Sequence, residues 1–323
     1  MKNNTEFAIE CSDLKRVYVS QGLMGRKRET VALDGITFQV PKGVVFGLLG
    51  PNGAGKTTTI RILSTLLIPT SGTARVVGFD VVREAAQVRR HIGLILGGDR
   101  GFYGRLSGRD NLLYFAALHH MNPREAANRA ARLLKQVGLA EAGDRLVEQY
   151  SRGMRQRLHI ARGLLPDPEI LFMDEPTLGL DPIGAQEIKQ LIPELVKQGK
   201  TILLTTHYMF EADQLCSSIV LINRGKLVAQ GSPTEIRLKF SKIIIVDITL
   251  RQVRTGLTDE LSRLEGVEQV DVGVDGAFQK LSIHVKEGLD LTAALTGKVG
   301  ADSIEGIVVR DPTLEEAYRS ILK

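Results

Sequence analysis

The sequence predicts an α/β protein built on a doubly wound parallel sheet, followed by a small α+β domain. Two observations predict the first part. Short apolar runs at 43–49, 92–96, 169–173, 201–205 and 219–223 alternate with segments of helical spacing, the order that strand–helix–strand units produce. The first run passes through glycines into "GKTTTIRILSTLL", where Ile60, Leu63 and Leu67 fall at helical intervals. The second part rests on the order of elements after residue 237. Strand "KIIIVDITL" is followed by helix "TDELSRL", strands "VEQVDVGV" and "QKLSIHV", helix "LDLTAALT" and strand "IEGIVV". That βαββαβ order is the one of a ferredoxin-like sandwich. A last helix starts at Thr313, where Thr313 and Glu316 have capping-box spacing. The expected domains are 1–237 and 238–323.

Composition excludes several classes. The 323 residues suffice for two domains. A net charge of +5 is spread over 42 basic and 37 acidic residues, so no block resembles a nucleic-acid-binding tail. Cys11 and Cys216 match no metal-ligand spacing and suggest no disulfide framework, which fits a reducing compartment. The start "MKNNTEFAIE" lacks the apolar core of a signal peptide. No apolar run approaches the roughly 20 residues that cross a bilayer. A cytoplasmic location is expected.

The strongest chemical signal is "GPNGAGKTT", comprising Gly50, Pro51, Asn52, Gly53, Ala54, Gly55, Lys56, Thr57 and Thr58. Gly50, Gly55, Lys56 and Thr57 satisfy G-x-x-x-x-G-K-[ST] between a strand and a helix. Glycines let backbone N–H groups wrap around phosphate oxygens at a helix N-terminus. Lys56 is placed to neutralise β- and γ-phosphates, and the Thr57 hydroxyl to bind Mg²⁺. The bland alternative is a glycine turn that merely joins strand to helix.

A nucleoside triphosphate site of this type needs an acidic element, and "EILFMDEP" supplies one. Four apolar residues, Ile170 to Met173, deliver Asp174 and Glu175 at a strand end. Asp174 is placed to hold the magnesium, and Glu175 to orient and deprotonate an attacking water. "KTILLTTHYM" is a further buried strand that ends at His207, either a structural histidine or a catalytic one.

"YSRGMRQRL", Tyr150 to Leu158, sets Ser151 and Gly153 at a helix start among Arg152, Arg155 and Arg157. Free N–H groups and cations there suit an anion. A nucleic-acid backbone, a lipid headgroup, a small phosphate and a plain solvated face all remain open on this stretch alone.

In order, the phosphate loop, "YSRGMRQR", the acidic strand, "LGLD" (178–181) and His207 resemble the nucleotide-binding subunit of an ATP-binding cassette (ABC) transporter, over about residues 6–237. The resemblance implies a RecA-like parallel-sheet core, an antiparallel β flank and a helical lobe at roughly 100–165. It implies ATP and Mg²⁺ as ligands and an ATPase reaction, with Glu175 and His207 catalytic. Tyr18 stands where the family stacks an aromatic on adenine. Ser151 and Gly153 would reach the γ-phosphate held by a second copy of the chain, and Asp181 would run along the same interface, so that two ATP molecules join a homodimer. The anion at "YSRGMRQRL" is then ATP. "DPTLEEAYRSIL" resembles the ending of ATP-binding subunits from drug-resistance, sodium-extrusion and polysaccharide exporters. Separate integral membrane permeases are the implied partners, on the inner face of the cell membrane, with no nucleic acid. No catalytic constellation is visible in 238–323, and dimer support or regulation is its expected role.

The chain departs from the family in places. Arg152 replaces the first glycine of LSGGQ, and is expected either to lean over the phosphates or to point outward. The family's glutamine after the 92–96 strand is absent, with Gly97, Gly98 and Asp99 in its neighbourhood. Phe102 and Tyr103 are expected to be exposed where the family docks its membrane subunit. Arg26, Lys27 and Arg28 are expected at a hairpin tip. Two other functions remain. A soluble cassette ATPase acting on DNA or ribosomes usually carries a coiled-coil insertion, a zinc motif or a second cassette, and none is seen here. A low-turnover nucleotide-dependent binding module fits the missing glutamine, but Glu175 argues against it.

Overall fold

The computed structural model describes residues 6–21, 27–96, 101–240, 243–286, 288, 292–300 and 303–322. They fall into two compact units, Met1–Ser232 and Pro233–Lys323. Helix α8 (Pro233–Phe240) lies within the second unit, so the division comes ahead of the 237/238 position read from the sequence.

In the first unit, strands β1 (Phe7–Gln21) and β2 (Lys27–Pro41) form a long antiparallel hairpin. β4 (Ser71–Val76) and β5 (Phe79–Asp80) extend it in the order β2-β1-β4-β5. The second sheet contains β3 (Val45–Leu49), β6 (Ile92–Leu96), β7 (Ile170–Asp174), β8 (Thr201–Thr206), β9 (Ser218–Asn223) and β10 (Lys226–Gly231). Its order is β10-β9-β3-β8-β7-β6, parallel except for β10. Every residue of β3, β7 and β8 is buried, as expected of central parallel strands covered on both faces. Phe38 of β2 stacks on Phe46 of β3 at 5.9 Å, and residues of both sheets share one hydrophobic core. Each such fully buried side chain contributes about 1.5–3 kcal/mol by leaving water.

The segment from 101 to 165 is helical: α3 (Gly108–Leu118), α4 (Pro123–Gln136) and α5 (Arg152–Leu164). Each start is specified locally. Ser107 accepts from the Asp110 N–H, Asn122 from the Arg124 N–H just ahead of Pro123, and Ser151 from the Met154 N–H. Helix α6 (Pro182–Lys197) opens in the same way, with Asp181 accepting from the Gly184 N–H.

Among its described residues the second unit has four strands, β11 (Ile243–Leu250), β12 (Val267–Asp275), β13 (Phe278–Lys286) and β14 (Ile304–Arg310). Their order, β12-β13-β11-β14, is antiparallel throughout. With α9 (Leu257–Ser262) and α10 (Thr292–Val299) between strands, this is the ferredoxin-like arrangement. Leu257, Leu261 and Leu295 pack on Ile248, Leu281 and Ile283 to form its core. Helix α11 (Leu314–Leu322) starts on the expected capping box: the Glu316 N–H donates to Thr313 Oγ1 at 3.2 Å, and the Thr313 N–H to Glu316 Oε2 at 2.7 Å.

Candidate nucleotide site

The parallel sheet brings the motifs together. In its register Leu49 lies beside Thr206, and Asp174 beside Thr205. The carboxyl ends of β3, β7 and β8 therefore converge, at the edge of the sheet where open α/β folds bind ligands. Those three ends carry the phosphate loop, the paired carboxylates and His207.

The loop between β3 and α1 (Lys56–Leu63) needs its glycines. Gly50 has φ +156°, and a Cβ there would stand 2.1 Å from the Ile222 carbonyl oxygen. Gly55 has φ +114°, with the Ala32 carbonyl oxygen 2.7 Å from a Cβ position. Strands β2 and β9 thus press on the loop from two sides, and no side chain fits at either point. Pro51, Asn52 and Gly53 are exposed, Ala54 is buried, and Thr58 is partly covered on the first turn of α1.

Lys56 is almost fully buried, and its Nζ donates to the Gly50 carbonyl at 2.7 Å and the Pro51 carbonyl at 3.2 Å. It also pairs with Glu175 Oε1, at 3.5 Å. Thr57 Oγ1 donates to Asp174 Oδ2 at 2.9 Å. Asp174 is buried and also accepts from Thr205 Oγ1. Glu175 sits at φ +48°, a left-handed conformation costly for a side-chain-bearing residue. Its N–H is held by the Thr205 carbonyl and hydroxyl, each at 3.1 Å. His207 Nδ1 lies 3.2 Å from Glu175 Oε2, without the alignment of a hydrogen bond. Tyr208 packs on the imidazole, ring centroids 4.0 Å apart.

Two oxygen donors, a hydroxyl and a carboxylate 2.9 Å apart, suit a hard divalent cation. The adjoining loop of left-handed glycines and a buried ammonium suits a phosphate chain. Glu175 is the carboxylate beside Lys56 that is not hydrogen-bonded to Thr57.

Residues without a motif also enter the site. Glu211, buried on α7 (Met209–Leu215), accepts from Thr177 Oγ1 through both carboxylate oxygens at 2.9 Å. It also accepts from Thr206 Oγ1 at 3.3 Å and faces Lys189 Nζ at 3.5 Å. This carboxylate links the segment after Glu175 to the one before His207. A T-T-H-x-x-x-E spacing was the available signal, but buried acids need tertiary partners that sequence does not display.

Other expected residues lie elsewhere. Ser151 and Asp181 spend their side chains on capping α5 and α6. Gly153 meets Gly184, whose Cα is 3.5 Å from a Cβ position on Gly153. Ser151, Gly153 and Asp181 therefore cluster at two abutting helix starts, and none hydrogen-bonds to the phosphate loop among the described residues. Tyr18 is on β1, opposite Thr30, with the Arg16 guanidinium 4.8 Å from its ring centroid.

Within a single chain, the arginines of "YSRGMRQRL" each bind backbone carbonyls. Arg152 donates to Gly179 at 2.9 Å, Arg155 to Tyr150, and Arg157 to Val137 at 3.4 Å and Gly138 at 3.3 Å. Arg152 is exposed, and its side chain bends back onto the 178–181 loop of its own chain. Phe102 is not fully exposed. It packs on His159 at 4.3 Å and Phe115 at 6.0 Å, with the Arg162 guanidinium 5.1 Å from its ring. Tyr103 is half exposed and hydrogen-bonds to Tyr114 at 3.1 Å. Gly97, Gly98, Asp99 and Arg26 lie outside the described residues.

Residues 33–178 match the family described as ABC transporter. A daunorubicin resistance ATP-binding protein, DrrA3 of Streptomyces coeruleorubidus, is 42% identical over 300 residues, which cover 92% of this chain and 93% of that protein. The chain belongs to the ABC transporter family. It is an ATP-binding subunit of that family, with the family's ATPase activity. Solved structures of ABC proteins share its fold. cbiO1 of Clostridium perfringens, part of the transporter complex cbiONQ, superposes with a TM-score of 0.65 at 28% identity, covering 73% of this chain and 92% of that one. A dimeric post-hydrolysis state of the ATP-binding cassette MJ0796, bound to ADP and Pi, gives 0.62 at 25% identity, covering 69% and 98%. The ABC subunit has, among its described residues, no helix long and apolar enough to cross a membrane.

Proposed function

We propose that two copies of this chain close on two ATP molecules and that hydrolysis drives export through separate integral membrane permeases. The observation that carries the reading is the gathering of Lys56, Thr57, Asp174 and Glu175 at three converging strand ends. Lys56 exchanges the Gly50 and Pro51 carbonyls for the β- and γ-phosphates when ATP arrives. Loop N–H groups from Gly53 to Thr58 cradle the same oxygens. Thr57 and Asp174 would hold Mg²⁺, which would neutralise phosphate charge when bound. Glu175, freed from Lys56, accepts a proton from the attacking water. The water oxygen bonds to the γ-phosphorus as the bond to the β–γ bridging oxygen breaks, leaving ADP and phosphate. His207, beside Glu175, orients the γ-phosphate end of the site. Tyr18 stacks on adenine once Arg16 gives way.

The opposite half of each site comes from the second copy. Ser151 and Gly153 at the start of α5, with Asp181 at the start of α6, form one surface that a single chain does not use for its own loop. The dimeric ADP-bound state of the similar cassette supports this arrangement. Export of drug-like cargo, at the inner face of the cell membrane, is supported by the similarity to a daunorubicin resistance protein along almost the whole chain. Residues 233–323 add a face that supports the dimer. Co-expression with a candidate integral membrane permease tests the coupling. Co-purification and permease-stimulated ATPase activity are expected, and a permease that neither binds nor stimulates the subunit would reject the transport role.

A further inference from the structure

Arg152 occupies a position where the family has glycine, and its guanidinium reaches 27 positions along the chain. Nη1 donates to the Gly179 carbonyl at 2.9 Å. Gly179 is in the left-handed region, at φ +72°, and a Cβ added there would meet Arg152 Nη1 at 2.7 Å. The contact is therefore closely fitted. The loop it grips starts at Glu175 and ends at Asp181. Its start is held by Thr205, which accepts from the Glu175 N–H, and by Glu211, which accepts from Thr177 Oγ1 at 2.9 Å. Leu178 and Leu180 instead make short-range turns: the Leu178 N–H to the Glu175 carbonyl at 3.1 Å and the Leu180 N–H to the Thr177 carbonyl at 3.2 Å. Leu178 and Gly179 are exposed. The 178–180 stretch is therefore the part of the loop where local opening is easiest.

The helix that bears Arg152 is anchored in turn. Gly153 abuts Gly184, and Arg157 reaches Glu187 at 3.3 Å, so α5 is laced to the first turns of α6 at two points. Arg152 adds the tie to the loop itself. An arginine suits this task because it spans the gap with a planar, permanently charged fork whose N–H groups bond strongly to a carbonyl.

We propose that Arg152 is a positioning residue: it ties the start of α5 to the 178–181 loop of its own chain, so that Ser151, Gly153 and Asp181 meet a second copy as one preset surface. This rests on the proposed ATP-bound dimer, and it removes the need for any contact between Arg152 and the partner-bound phosphate. A glycine at this position leaves the loop to order itself during dimerisation, at an entropic cost that the tied chain has already met.

The test has two arms, run on the full chain after melting curves establish that each variant is folded. In the nucleotide-free monomer, Arg152→Met removes the donor and keeps the stem. The amides of Leu178 and Leu180 should then exchange with deuterium about three- to tenfold faster, the scale of one charge-assisted hydrogen bond at a partly exposed site. Arg152→Lys keeps a donor and should restore part of the protection. Unchanged exchange in Arg152→Met would overturn the tie, whatever the protein's activity. In the Glu175→Gln background, Arg152→Met should weaken ATP-induced dimerisation severalfold and leave ATP affinity of the monomer unaltered. That loss should be similar at low and high salt, because the acceptor is a neutral carbonyl. A loss that shrinks with salt, alongside unchanged exchange, would place Arg152 on the partner's phosphate instead. Faster exchange with undiminished dimerisation would overturn its positioning role. A parent protein that never dimerises with ATP would reject the proposed function, and the exchange arm would still decide the tie.

Discussion

Thr57 Oγ1 and Asp174 Oδ2 are 2.9 Å apart, although 117 positions separate them in the chain. Neither residue type is unusual. Their meeting follows from the register that sets β7 next to β8 and β8 next to β3, and it creates an all-oxygen corner beside a phosphate loop.

Asp174→Asn tests that corner. The amide still accepts a hydrogen bond from Thr205 or Thr57, so the fold should hold. The carboxylate charge is gone, and the gain in ATP affinity from adding Mg²⁺ should fall by about tenfold or more, on the scale of a lost charged ligand. Titrating ATP with and without Mg²⁺ checks this. An undiminished magnesium effect would remove Asp174 from the metal site.

Glu211 should matter both for stability and for turnover. Glu211→Ala leaves the Thr177 and Thr206 hydroxyls and Lys189 without their shared acceptor, at a cost of about 2–3 kcal/mol. Urea unfolding measures that loss. Glu211→Gln preserves an acceptor and should cost less than half as much. Because Thr177 and Thr206 follow Glu175 and precede His207, turnover should fall in the alanine variant even where the protein remains folded.

The second unit carries a pH-dependent element. Burial raises the Glu316 carboxyl, but Arg310, bonded to it at 2.9 and 3.0 Å, and the Thr313 N–H and hydroxyl outweigh burial and bring it from 4.5 down to about 2. A depressed carboxylate stabilises the fold above its unfolded value and loses that contribution as pH falls through its folded one. The difference in thermal stability between the parent and Glu316→Gln should therefore be constant above about pH 5 and shrink between 4.5 and 2. A difference that does not change across that window would detach Glu316 from acid stability.

The cysteines should be silent. Burial, followed by the nearby Glu211 charge, pushes the Cys216 thiol up to about 12, and burial raises Cys11 further still. Neither forms a thiolate at neutral pH. A thiol reagent at pH 8 should label the native protein at neither position and both after unfolding. Rapid labelling of the native chain would contradict their burial.

How much of this was readable in the chain itself differs by residue. The phosphate loop and Asp174–Glu175 were legible because their signals are local: a β-branched run, obligatory glycines, and a carboxylate pair at the end of "ILFM". The βαββαβ order was legible for the same reason, since strand alternation and the Thr313–Glu316 box are short-range patterns. The partners of Arg152, Arg155 and Arg157 were not. A helix start shows which residues are cationic, and only the tertiary fold shows that carbonyls of Gly179, Tyr150 and Val137 lie within reach. The partial burial of Phe102 was not legible, because the cation beside its ring, Arg162, lies on α5, 60 positions along the chain. Glu211 carried no motif, and its role depends on two threonines 34 and five residues away.

The central claim, ATP held between two copies and hydrolysed by Glu175, is tested most directly by the Glu175→Gln variant. Its ATP-dependent mass in solution and its turnover should be measured together by light scattering and phosphate release. The account predicts ATP affinity like that of the parent, a turnover rate lower by about 10²–10⁴-fold, the range for loss of a general base, and a stable dimer that forms with ATP and not with ADP. A variant that turns over within a few-fold of the parent, or stays monomeric with saturating ATP, would contradict it.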